Sequence, residues 1–248
     1  QIDGSVVCAV LAEGSGILAG SGSLQGAVEV SGGGFLSPGG VPGVMQTGTL
    51  SLLQGSMLTL DLGGALPGNA AGRHDQVSVT GTVSLSGNLN LQMTGGYVGT
   101  AGETLVLINN DGADAVSGTF SSLQEQQEVL AGSTMWRISY AGGTGNDVVL
   151  VCIGHQYIVS NLHSSGTGSL YQAITDANAS AGMDEIIFTV AGVIPVTAAY
   201  PLPAITGALA IDGNTAPGFN GTPVVEVSGT SAGQTSGLIF AATAGGSG

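Results

Sequence analysis

From Asp75 to Gly95 the chain reads DQVSVTGTVSLSGNLNLQMTG, and its apolar residues come in pairs: Val77 and Val79, Val83 and Leu85, Leu89 and Leu91. The pair recurs every six residues. A period of two sets both members on one face of a short strand, whereas a helix would scatter the same positions around its circumference. The spacing therefore predicts three short strands joined by small turns, none long enough to be stable alone. Upstream, ILAGSGSL, AVEVSGGGFLSPGG, VMQTGTLSL and SMLTLDLGG carry the same punctuation by glycine. Stacked in coils of roughly 18 to 23 residues, such strands would bury their inward positions as one continuous core. The pattern predicts an all-β fold, a right-handed parallel β-helix (β-solenoid), with glycines at corners where the backbone bends sharply.

After Gly95 the strands lengthen: TLVLINNDG, VSGTFSSL, STMWRISYAGG and NDVVLVCI. They read as antiparallel hairpins or wider coils closing a first unit, with Trp136, the single tryptophan, as a plug. The reading divides the chain at 1–153 and 154–248, the second unit beginning around His155 without a flexible linker. This second unit opens on a helix near 169–179. Ser169 and Gln172 match a capping box, and Leu170, Ala173, Ile174 and Ala177 make an apolar stripe that Gly182 ends. The helix is expected to cap a second β-helix, whose strands fall at 185–190, 193–196, 209–212, 224–228 and 238–241.

Composition narrows the possible chemistry. Sixteen acidic residues face only Arg73 and Arg137, with no lysine, for a formal charge of −14. Nucleic acid and anionic membrane surfaces would be repelled, since both require a basic patch. No apolar run reaches the length of a membrane span, so membrane insertion is not expected. Few charges and 45 glycines describe a surface dressed in Ser, Thr and Asn, as secreted proteins often have. The chain begins at Gln1, which suggests a removed leader or a piece of a longer protein. Cys8 and Cys152 sit far apart in apolar, strand-like surroundings; a disulfide within or between chains and a pair of small buried side chains are both open.

LINNDGADAVSGTF followed by WRISYAGGTGNDVVLV, with GGGFLSPGGVPGVMQTGTLSL upstream, resembles the passenger-type β-helix repeats of large bacterial surface proteins and autotransporter-like adhesins, over about 15–152. IVSNLHSSGTGSLYQAITDANASAGMDEIIFTV and the residues after it are similar to the opening of another secreted β-helix module, over about 157–248. Related openings often carry Arg where Tyr171 stands, a departure in keeping with a chain that avoids basic residues. The resemblance implies a structural, extracellular or cell-surface module. Its expected partners are further copies of itself, neighbouring modules of a larger protein, or a surface glycan or protein receptor. A fragment of a carbohydrate-active β-helix enzyme is the alternative, by fold analogy.

Few residues suggest a site. Gly142 to Leu150, GGTGNDVVL, fits the calcium nonapeptide GGxGxDxUx, which makes Asn146 and Asp147 candidate calcium ligands. One copy would supply half a site, and the resembled family uses this stretch as a hairpin turn, so the turn is the preferred reading. Asp111 and Asp114 in NNDGAD have oxygens at useful spacing but no bidentate Glu, and also read as a turn. Arg73-His74-Asp75 is the one cluster that mixes base, imidazole and acid; lying in GNAAGRHDQ, it reads as a solvated turn with a local Arg–Asp contact. His155 and His163 have no Cys or His at metal spacing. No nucleophile elbow, phosphate loop or dinucleotide fingerprint is present, so no catalytic residue and no cofactor other than calcium is expected.

Overall fold

The computed structural model describes residues 1–40 and 42–241. Strands appear in trios. The first trio is β1 (Ser5–Val6), β2 (Val10–Ala12) and β3 (Ile17–Gly20); the second is β4 (Ser23–Leu24), β5 (Val28–Val30) and β6 (Phe35–Pro38). The third is β7 (Val44–Thr47), β8 (Leu50–Leu52) and β9 (Met57–Leu62), and the fourth is β10 (Gln76–Val79), β11 (Val83–Leu85) and β12 (Asn88–Met93). The last trio is the repeated apolar pair of the sequence, one strand per pair.

Each member of a trio joins a different sheet. β1, β4, β7 and β10 pair in parallel in one sheet, β2, β5, β8 and β11 in a second, and β3, β6, β9 and β12 in a third. Alternate residues point inward and stack on their register partners: Leu18 on Leu36 and Leu58, Val28 on Leu50 and Val83, Val30 on Leu52 and Leu85. These side chains are buried, each contributing about 1.5–3 kcal/mol relative to exposure. Register partners Ser5, Ser23, Gln46 and Ser78 lie 18, 23 and 32 residues apart. The first two steps match the expected period. The third exceeds it because residues 63–75 are inserted between β9 and β10.

The chain then reverses its pairing. β13 (Thr104–Asn110) still lies parallel to β10, and the two-residue β14 (Ser117–Gly118) parallel to β11. β15 (Glu128–Ala131) and β16 (Thr134–Gly142) form an antiparallel hairpin, and β17 (Asp147–Val159) runs antiparallel to β13, with an irregularity between Val106 and Ile108. Trp136 and Phe120 are fully buried here. Tyr140 Oη accepts from Phe120 N at 3.0 Å and donates to Leu123 O at 2.7 Å, and burial pushes its pKa up to about 12. Gly99 lies against the tryptophan, where a Cβ would come within 2.6 Å of Cη2.

By its contacts the chain divides into Gln1–Cys152 and Ile153–Gly248, a boundary inside β17. In the second unit α1 (Leu170–Ala179) is followed by β18 (Met183–Phe188), β19 (Gly192–Thr197), β20 (Ala208–Asp212) and β21 (Val225–Ser231). Residues 156–159 of β17 pair in parallel with β18, β18 with β20, and β19 with β21. The buried face of α1 is Leu170, Ala173, Ile174 and Ala177, packed in a core with Val159, Ile186, Phe188 and Ile194. The strand expected at 238–241 reduces to one bridge between Ile205 and Phe240, with Phe240 63% exposed; residues beyond 241 lie outside the described ones. No helix among the described residues is long and apolar enough to cross a membrane.

Candidate functional site

The two loops with candidate calcium ligands meet. Asp147 Oδ1 accepts from Asn110 N at 2.8 Å, and its Oδ2 from Thr144 N at 3.3 Å. Asn146 Nδ2 donates to Gly112 O at 2.7 Å and Asp114 O at 3.3 Å, while its Oδ1 accepts from Thr144 Oγ1 at 2.7 Å. Asn110 Nδ2 donates to Asp114 O at 2.8 Å. Asn146 and Asp147 are buried, whereas Asp111 and Asp114 are exposed. Gly143 has φ of +54°, and a Cβ there would collide with the Asp147 carboxylate. The Asn146 and Asp147 side-chain oxygens therefore accept from amides and a hydroxyl and lock two turns together. No cluster of three or more His, Cys, Asp or Glu side chains that could hold a metal occurs among the described residues.

Arg73-His74-Asp75 departs from its expected surface turn. His74 and Asp75 are buried, and Asp75 makes no ion pair with Arg73. Instead Asp75 Oδ1 accepts from Gly43 N at 2.6 Å and Oδ2 from Asp61 N at 2.8 Å. His74 Nδ1 lies 2.9 Å from Gly64 O and Nε2 lies 3.3 Å from Val106 O, to which Gln76 Nε2 also donates at 2.9 Å. The reason for the difference is main-chain accounting. The insert folds back so that Asp75 N reaches Asp61 O and His74 N reaches Leu66 O, which draws both side chains inside.

A third cluster, unmarked in the sequence, lies in the second unit. Ser180 Oγ is 2.8 Å from His155 Nδ1, and Asp184 Oδ1 is 3.6 Å from the same nitrogen. Nucleophile activation needs the serine and the carboxylate on opposite ring nitrogens, so this trio is a tie between β17, the helix C-cap and β18. Asp184 Oδ1 also accepts from His155 N at 2.8 Å; burial raises its pKa, against the pull of His155. His163 is exposed, its N–H donating to Asn161 Oδ1.

Cys8 is exposed just after β1, the first strand of its sheet. Cys152 is buried in the first unit's core on β17, five places along the same sheet. At about 4.8 Å per strand that separation far exceeds the span of a disulfide. Comparison with known proteins finds no matching family model, no matching curated protein and no matching solved structure.

Proposed function

We propose that this chain is a structural module of an extracellular or cell-surface protein, built as two right-handed parallel β-helix units in tandem and adhesin-like or self-assembling in use. One observation carries the reading: in four successive trios, every third strand returns to the same parallel sheet, with inward apolar residues stacked in register. A right-handed path agrees with the general hand of parallel crossovers. The resemblance of residues 15–152 and 157–248 to surface β-helix modules supports the same use. So do Asn146, Asp147 and Asp75, whose side-chain oxygens are engaged by main-chain amides and a hydroxyl of their surrounding turns and strands. Among the described residues β1, β2 and β3 each pair with a strand on one side only, Ile2 N donating to Ala19 O of β3 on the other, and Val7 after β1, Leu11 in β2 and Ile17 in β3 are exposed, so this edge offers backbone and apolar surface to a further layer. In the second unit β20 and β21 are likewise paired on one side among the described residues. Joining of such edges head to tail is a heterologous contact, which propagates as a filament.

Electron microscopy of the native protein tests this. Filaments or rods with an axial repeat near the length of one chain are the expected result. Discrete particles that release oligosaccharide from an acidic polysaccharide would replace the structural reading with an enzymatic one.

A further inference from the structure

Among the asparagines of the chain, Asn220 alone is followed by glycine, in GFNGTP. The stretch belongs to the connection from β20 to β21. Phe219 N donates to Ala216 O at 3.2 Å, and Gly192 N donates to Val224 O at 2.8 Å. Between these two anchors, residues 220–223 make no main-chain hydrogen bond among the described residues. Pro223 has no N–H to give, and Gly221, at φ of +98°, turns the chain outward. Asn220, Gly221 and Thr222 are exposed, and a Cβ at Gly221 would meet nothing within 4 Å. The Asn220 amide group and the Gly221 N–H after it both face water.

Other asparagines are held. Asn178 on α1 donates through Nδ2 to Ala204 O at 2.7 Å and accepts from Thr206 N at 2.8 Å. Asn69 Oδ1 accepts from Val44 N at 2.7 Å. After Asn110, the next amide is engaged, since Asp111 N donates to Val79 O at 3.0 Å.

We propose that Asn220 is a self-modifying position, converted to aspartate and isoaspartate by the main-chain nitrogen of Gly221 with water as co-reactant. Gly221 N attacks Asn220 Cγ, so that an N–Cγ bond forms and the Cγ–Nδ2 bond breaks. The Gly221 N–H proton leaves with Nδ2 as ammonia. Nucleophile and carbonyl sit on neighbouring residues of one chain, so the attack is intramolecular and closes a five-membered succinimide. Glycine puts no side chain beside the attacking nitrogen, and the missing hydrogen bonds let the Asn220 main chain rotate without opening a sheet. Water then adds to one of the two ring carbonyls. Addition at Cγ restores the ordinary chain as aspartate, and addition at the Asn220 main-chain carbonyl leaves the chain running through Cβ and Cγ as isoaspartate. Either product is a new carboxylate, which takes the formal charge from −14 to −15.

Incubation of the folded protein at mildly alkaline pH, read by native isoelectric focusing and by peptide mapping, tests this. The expected result is a growing acidic band, with NH exchanged for O at Asn220 ahead of every other asparagine and isoaspartate in the product. Asn220→Gln, whose longer side chain would need a larger ring, is expected to lose the band. In the unaltered protein the rate at Asn220 is expected to stay within about tenfold of its rate in urea, as a segment with near-zero opening free energy requires. An Asn220 that stays intact until the protein is unfolded, or a product that is aspartate without isoaspartate, overturns the inference.

Discussion

Gly99 and Trp136 are 37 residues apart in sequence, yet the glycine is fixed by the tryptophan. The indole is fully buried, and any side chain at 99 would enter its volume. Gly99→Ala is expected to cost about 1–3 kcal/mol by overpacking, seen as a lower urea midpoint with unchanged slope. Stability equal to wild type would mean that the ring has room to move. Trp136 was legible as a plug because a lone tryptophan in an apolar strand must be buried somewhere. Its partner was not, because Gly99 in YVGTAG looks like any turn glycine. Asp147 teaches the same at a polar position: the GGTGNDVVL spacing marks a tight turn with an acceptor, and only the arrival of Asn110 shows which amide that acceptor serves.

At the scale of elements, α1 was the most legible part of the chain. Ser169 accepts from Gln172 N at 3.2 Å as the capping box requires, and the four stripe residues are the four that are buried. The second half of the box is missing. Ser169 N already donates to Gly166 O, and Gln172 Nε2 reaches Asp176 Oδ1 at 2.7 Å, one turn on. Ser169→Ala is therefore expected to cost about 0.5–2 kcal/mol. Gln172→Ala should cost no more than about 0.5 kcal/mol, the worth of an exposed i, i+4 contact. Thermal melts of the two variants check the order, and equal losses would restore the full box. The short strands were legible in outline from their alternation, but β14, at two exposed residues, and the bridge at Phe240 are set by neighbours rather than by their own pattern.

For the whole molecule, the stacked positions decide stability. Leu58 lies between Leu36 and Leu89 in the third sheet with no exposure. Leu58→Ala leaves a cavity that the flanking tiers cannot close, with an expected cost of about 2–5 kcal/mol in chemical denaturation. A loss well below that range would mean that adjacent tiers collapse onto the gap. Insertions behave differently, because they enter at corners: the 63–75 insert lengthens the third step to 32 residues while β7–β10 and β9–β12 keep their register.

By itself the sequence determined the local periods and the charge: alternation in short strands, the helix between Ser169 and Ser180, and the acidic balance. These are properties of nearest neighbours and of composition, which no tertiary contact alters. Only the tertiary structure decided which strands share a sheet, where the pairing turns antiparallel, and that His74, Asp75 and Asp184 lie in contact with distant main chain. The reason is that these depend on where backbone donors and acceptors 10 to 32 residues away find their partners. A buried polar group takes its role from whichever of them arrives.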